Sequence, residues 1–230
     1  MPRVIAVTLA AVLGISTQPT DNAWVFLVDD LHIAFAQTGR LRDLLRIAAR
    51  ELIQDGDRYL FRASGPSAVS RTTAMSDDRE SIASTINSVT GNGLKAFDIA
   101  FAPSNDEVVY RANIALDAAL EAVYALTGDA ARRQAIIYVS SGYDIVTFPA
   151  LEERIRAFAR RARENNITIF AIDWRSFELP DPRVDADMWE RYLASTRRSL
   201  TLMTEESGGF VIERANEPAL DLKRINTQMR

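Results

Sequence analysis

The run Ala23-Trp24-Val25-Phe26-Leu27-Val28 is uninterrupted apolar sequence that stops abruptly on Asp29 and Asp30, with His32 two residues further on. A short apolar run rich in β-branched and aromatic residues, with no polar alternation, is what a strand buried on both faces requires, and such strands belong to parallel sheets covered by helices on each side. In open parallel sheets the ligand crevice lies at the carboxyl ends of the strands. Asp29, Asp30 and His32 are therefore expected at the mouth of that crevice.

The rest of the chain alternates strand and helix. Thr38 to Gln54 carries Leu41, Leu44, Leu45, Ala48 and Leu52 at helical spacing, and Asp55-Gly56-Asp57 ends it before a strand over Arg58 to Ala63. Asp77-Asp78 offers a cap for a helix over Arg79 to Val89, and another helix is expected over Glu107 to Leu126. Arg133 to Val139 reads as a strand buried on both faces and ends in Ser140-Ser141-Gly142. Pro149 opens a helix with early glutamates and late arginines, matching the macrodipole, and Asn165-Asn166 closes it. A strand over Ile167 to Ile172 ends on Asp173; a helix over Asp187 to Glu205, a strand over Phe210 to Glu213 and a helix over Glu217 to Asn226 follow. Repeated β-α-β crossovers demand a mostly parallel central sheet with helices on both faces, so the expected class is a three-layer α/β/α Rossmann-like sandwich.

Composition narrows the function classes. The formal charge is -4, with no Lys/Arg block of the kind that phosphate contacts require, which argues against nucleic-acid binding. The arginines from Arg154 to Arg163 read as the solvated face of one helix. The chain has no cysteine, which excludes disulfides and thiolate metal sites. At the amino terminus, Met1-Pro2-Arg3 precedes the apolar run Val4 to Ile15, and Gly14-Ile15-Ser16 supplies a small-x-small cleavage pattern. Residues 1–16 are read as a signal peptide, 17–22 as a short leader and 23–230 as one domain, giving an exported protein, periplasmic or extracellular. The competing reading of Val4 to Val12 is a buried first strand. The run is too short to span a bilayer, for which about 20 apolar residues are needed.

Familiar enzyme signatures are missing. The turn after the first strand reads Asp29-Asp30-Leu31-His32-Ile33-Ala34, without the glycines of a dinucleotide fingerprint, and there is neither a P-loop nor a nucleophile elbow. His32 is the sole histidine, so a Ser-His-Asp triad has one possible construction: His32 with Ser140 or Ser141 and Asp29 or Asp173. Val28-Asp29-Asp30 resembles the acidic pair of a phospho-receiver domain, but the acceptor Asp after the third strand and the Lys after the last are absent.

Five ordered segments carry a further resemblance: Val25 to His32; Asp55-Gly56-Asp57; Arg132 to Asp144; Ile167 to Asp173; and Ser199-Leu200 through Glu206-Ser207-Gly208-Gly209-Phe210. Together, from about Trp24 to Ile225, they resemble a von Willebrand factor A domain of the bacterial type first noted in acidobacteria. The resemblance implies a protein-binding face at the carboxyl ends of the strands, often built on a metal-ion-dependent adhesion site with a D-x-S-x-S motif, a later Thr and a later Asp. Here Asp29 keeps the first position, Leu31 and Ile33 stand where the serines belong, the Thr position falls near Asn113 or Ile114, and Ser141 replaces the later Asp. Magnesium demands hard oxygen ligands in near-octahedral geometry. Asp29, Ser140, Ser141 and Asp144 are the residues from which a divalent site would have to be rebuilt, and a degenerate site without cofactor is the expectation.

The functional expectation is a noncatalytic, adhesion-type interaction module that binds a protein partner. Its contact region joins Asp29 to Ala36, Thr90 to Asp106, Ser140 to Phe148 and Trp174 to Asp187. Asp30, His32, Tyr143, Phe148, Trp174 and Phe177 are the candidate contact residues, the aromatics as anchors where they are exposed, with packing over the sheet ends as their equal alternative. The alternative is a metal-dependent hydrolase or phosphotransfer enzyme centred on Asp29, Asp30 and His32.

Overall fold

A computed structural model describes residues 21–72, 74–93, 105–129, 131–177, 185–214 and 217–230. The signal-peptide reading, the leader up to residue 20 and the loop residues 94–104 and 178–184 fall outside the described residues.

Five parallel strands form one sheet: β1 (Asn22–Val28), β2 (Arg58–Ala63), β3 (Arg133–Ser140), β4 (Ile167–Asp173) and β5 (Val211–Ile212). Their spatial order is β2-β1-β3-β4-β5. The order reverses between β1 and β3, so the crevice predicted for a doubly wound sheet opens beside Asp29 and Ser140. Among the described residues the α-helices are α1 (Thr38–Leu52), α2 (Ile82–Asn87), α3 (Asn105–Thr127), α4 (Pro149–Glu164), α5 (Ala186–Ser207) and α6 (Ala219–Met229).

Successive side chains of a strand point to opposite faces, and β1 divides accordingly. Trp24, Phe26 and Val28 enter a core with Leu41 and Leu45 of α1, Ile86 of α2 and Leu222 and Ile225 of α6. Ala23, Val25 and Leu27 enter a second core with Leu116 and Val123 of α3, Ile155 and Phe158 of α4 and Leu200 and Met203 of α5. The sandwich therefore has three layers, as the crossovers required. Small residues thin the second layer: Ala112, Ala115, Ala119 and Ala122 bring α3 close against the sheet.

Local chemistry sets the ends of the elements. The expected helix over Arg79 to Val89 begins as a 3-10 turn over Arg79–Ser81, with Asp78 accepting from the Glu80 backbone, and becomes α-helical from Ile82. Asn166 takes a left-handed φ of 57° after α4, which an Asn tolerates better than most residues. The α5 cap is Asp185, which accepts from the Met188 N–H. Gly209, just beyond α5, leaves no room for a side chain, because an added Cβ would stand 1.8 Å from the Ile169 carbonyl oxygen. Among the described residues, no helix is long and apolar enough to cross a membrane.

Candidate functional site

The carboxyl ends of β1, β2 and β3 converge on two buried carboxylates. β1 is held in register by Asp29 N donating to Val139 O and Ser64 N donating to Val28 O, which brings Asp29, Ser64 and Ser140 side by side. Asp29 is completely buried. Its Oδ1 accepts from His32 Nδ1 at 2.8 Å and Ser64 Oγ at 3.1 Å, and its Oδ2 from Ser140 Oγ at 2.7 Å and Tyr143 OH at 3.0 Å. Burial pushes this carboxyl up, but the His32 charge and the bonds from His32, Ser140 and Tyr143 outweigh it and hold it below the ordinary carboxylate range. An ionised carboxylate only accepts, so His32 carries its proton on Nδ1.

Asp30 is equally buried, inside a 3-10 turn over Asp30–His32. It accepts from the backbone of Gly65 and Ser67 and from Asn92 Nδ2 at 2.8 Å. Its task is to tie β1 to the segment after β2 and to the loop at Asn92. The sequence placed Asp30 among the contact residues; the structure corrects this, since both of its oxygens face protein donors and none of its surface is exposed.

Two aromatic assignments need the same correction. Tyr143 is 3% exposed and Trp174 is fully buried, so neither is a surface anchor. Gly142 turns the chain with φ +72°, and an added Cβ there would meet the Thr196 carbonyl at 2.3 Å. The tight turn lets Tyr143 N donate to Ser199 Oγ and tucks the ring between His32 and Tyr138, whose hydroxyl is hydrogen-bonded to that of Tyr143. Burial, then the Asp29 charge, raises both phenols well above their usual value, so they remain neutral donors. Trp174 follows β4 directly, enters the α1-side core and donates through Nε1 to Gln37 Oε1. Phe148 is half-buried. The side chain of Phe177 lies outside the described residues.

The residues that a divalent cation would recruit do not form a ligand set. Both Asp29 oxygens are filled by protein donors, Ser140 spends its proton on Asp29, and Ser141 Oγ donates to the His32 carbonyl at 3.0 Å. Asp144 stands apart, accepting from Ser195 Oγ at 2.6 Å, Thr147 Oγ1 at 2.6 Å and two backbone N–H groups. These bonds outweigh its burial and hold its carboxyl below the usual range. Among the described residues, no group of three or more His, Asp or Glu side chains is arranged for a metal. The possible triad does not assemble either: Ser140 bonds Asp29 instead of His32, and Asp173 forms a buried pair with Arg175 at 2.8 Å.

What opens to solvent beside this cluster is a cleft of about 720 Å³ between the amino-terminal ends of α3, α4 and α5. Val108, Ala112, Phe148, Leu151 and Trp189 supply much of its lining, together with His32 and Asp144, and with Val146 and Met188, which are 67% and 42% exposed. The sequence reading missed the α5 contribution. Met188, Arg191, Ser195 and Arg198 recur at three- and four-residue steps and so share one helix face; that spacing was the available signal.

A comparison of the chain with protein-family models and with curated proteins finds no match.

Proposed function

We propose that this chain is a noncatalytic interaction module of the von Willebrand factor A type, exported from the cell, which binds a protein partner in the cleft at the carboxyl ends of its strands. One observation carries the reading: the polar groups at the switch point are consumed within the protein, whereas the cleft beside them is walled by apolar side chains, with Val146 and Met188 exposed. Exposed apolar side chains around a concave site gain free energy by being covered, and chemistry needs acids or bases aimed at a substrate. The proposed module works without a metal, since Asp29 and Asp144 already have their full complement of hydrogen bonds.

The enzyme reading draws on one observation, the Asp29–His32 pair whose imidazole lines the cleft. Among the described residues no hydroxyl is bonded to the other ring nitrogen to serve as nucleophile, and Asp30 does not reach the cleft lining.

The test is selection of a random peptide library on immobilised wild type and on Val146→Asp/Met188→Asp, both exposed positions at which substitution leaves the core untouched. Enrichment of sequences that bind wild type and not the double variant supports the module. Absence of any cleft-dependent binder, together with turnover of aryl ester or aryl phosphate substrates that His32→Ala abolishes, would replace it with the enzyme reading.

A further inference from the structure

Arginines of α4 and α5 differ in what holds them. On α4, Arg154, Arg156, Arg160 and Arg161 are each paired with a carboxylate, at Asp117, Glu152, Glu206, Glu153 or Glu164. Arg191 and Arg198 on α5 are exposed, line the cleft, and have no carboxylate partner among the described residues. The carboxylate that lines the cleft with them, Asp144, is occupied by Ser195, Thr147 and backbone donors. The amino-terminal ends of α3, α4 and α5 all border the same space, and helix amino termini carry partial positive charge. The cleft is thus apolar in much of its wall, and among the side chains that line it the two arginines outnumber the one carboxylate, Asp144, while Asp106, Glu107, Glu152 and Asp187 stand in the first turns of the bordering helices.

Resting on the interaction reading above, we propose that the cleft receives an acidic peptide segment of the partner, with an apolar side chain seated between Val146 and Met188 and two carboxylates reaching Arg191 and Arg198. The spacing suits a peptide that carries two carboxylates. Seven residues of α-helix set the two arginines about 10 Å apart along the helix axis at their Cα atoms. Two acidic residues about three positions apart on an extended segment cover that distance. Arginine suits the task because its planar fork takes a carboxylate in two parallel hydrogen bonds.

The experiment uses three fluorescein-labelled peptides with a Leu-Trp core, flanked by two glutamates three positions apart in the first, glutamines in the second and lysines in the third, each titrated with the full domain. The proposal expects the glutamate peptide to bind about tenfold more tightly than the glutamine peptide, the lysine peptide to bind least, and the preference to weaken with salt. Arg191→Ala/Arg198→Ala, at exposed positions, should erase the glutamate preference while the circular dichroism and melting temperature stay unchanged. Equal binding of the glutamate and glutamine peptides to wild type overturns the acidic assignment but leaves the interaction reading standing. Failure of all three peptides, together with an empty library selection, overturns that reading as well. Arginine-dependent binding of dodecanoate in place of any peptide overturns the assignment in favour of a small amphipathic acid.

Discussion

His32 Nδ1 stands 2.8 Å from Oδ1 of the fully buried Asp29, so the sole imidazole of the chain is hydrogen-bonded to a carboxylate at the point where the sheet order reverses. The pair closes the carboxyl end of β1, and Ser64, Ser140 and Tyr143 complete the shell. Removing the carboxylate would take an acceptor from four donors, of which Ser64 keeps Asp30 and Tyr143 keeps Tyr138. Asp29→Ala should therefore cost about 3 to 5 kcal/mol of stability, the range for breaking a buried pair, whereas His32→Gln, which can retain a donor, should cost less. Chemical denaturation of the three proteins checks the order.

The pH dependence follows from the same shell. Asp29, Asp57 and Asp144 all have folded-state carboxyls held below their ordinary value: burial raises each, but hydrogen bonds outweigh it. For a depressed carboxylate the stabilisation is complete above the unfolded-state value, about 3.9, and is lost as pH falls through the folded-state value. The melting temperature should fall steeply below about pH 4, and Asp29→Asn, already destabilised, should show a shallower acid limb. An identical slope in wild type and variant would remove Asp29 from the account.

Divalent cations should leave the melting temperature unchanged. A ligand that binds the folded state alone must stabilise it, and here Asp29 and Ser140 offer no free oxygen pair. Scanning fluorimetry in chelator and then in Mg²⁺, Mn²⁺ or Ca²⁺ is the measurement; a rise that Asp29→Ala abolishes would restore the adhesion-site mechanism.

At the opposite end of the sheet, Arg230 Nη2 reaches Asp57 Oδ2 at 2.6 Å, while Asp57 also accepts from Asn22 N, Trp24 Nε1 and Gln54 N. Arg230→Ala leaves those three donors satisfied and should cost about 1.5 to 3 kcal/mol, the range for a charged hydrogen bond. Asp57→Ala orphans them and should cost more. Urea midpoints at constant slope distinguish the two.

Trp174 gives a direct check on the corrected role of the aromatics. As a buried core residue, Trp174→Ala should lose about 3 to 5 kcal/mol, and Trp174→Phe less. A surface anchor would show neither loss, only weakened partner binding.

The strands were legible because burial on both faces leaves an unbroken apolar run: Arg58 to Ala63 was located to the residue, and Arg133 to Val139 missed only Ser140. Helix α1 was legible through its leucine stripe. Asp29 and His32 were legible as residues of the strand end because they interrupt the apolar run where the sheet must end. Ser64, Asn92 and Ser199, which hold the buried carboxylates and the Tyr143 turn, were not, because each comes from a distant segment and a lone Ser or Asn in a loop has no periodicity to betray it.

The sequence by itself determined the layered α/β/α class, since hydrophobic period and turn chemistry are local properties of the chain. Whether a side chain at a strand end faces solvent or the interior is not local. Tyr143 and Trp174 occupy positions where an exposed anchor was expected, and the turn at Gly142 and the packing against Gln37 decided that both are buried. The cleft likewise exists because three crossovers bring the amino-terminal ends of α3, α4 and α5 to one end of one sheet, a juxtaposition of residues far apart in sequence that only the folded chain creates.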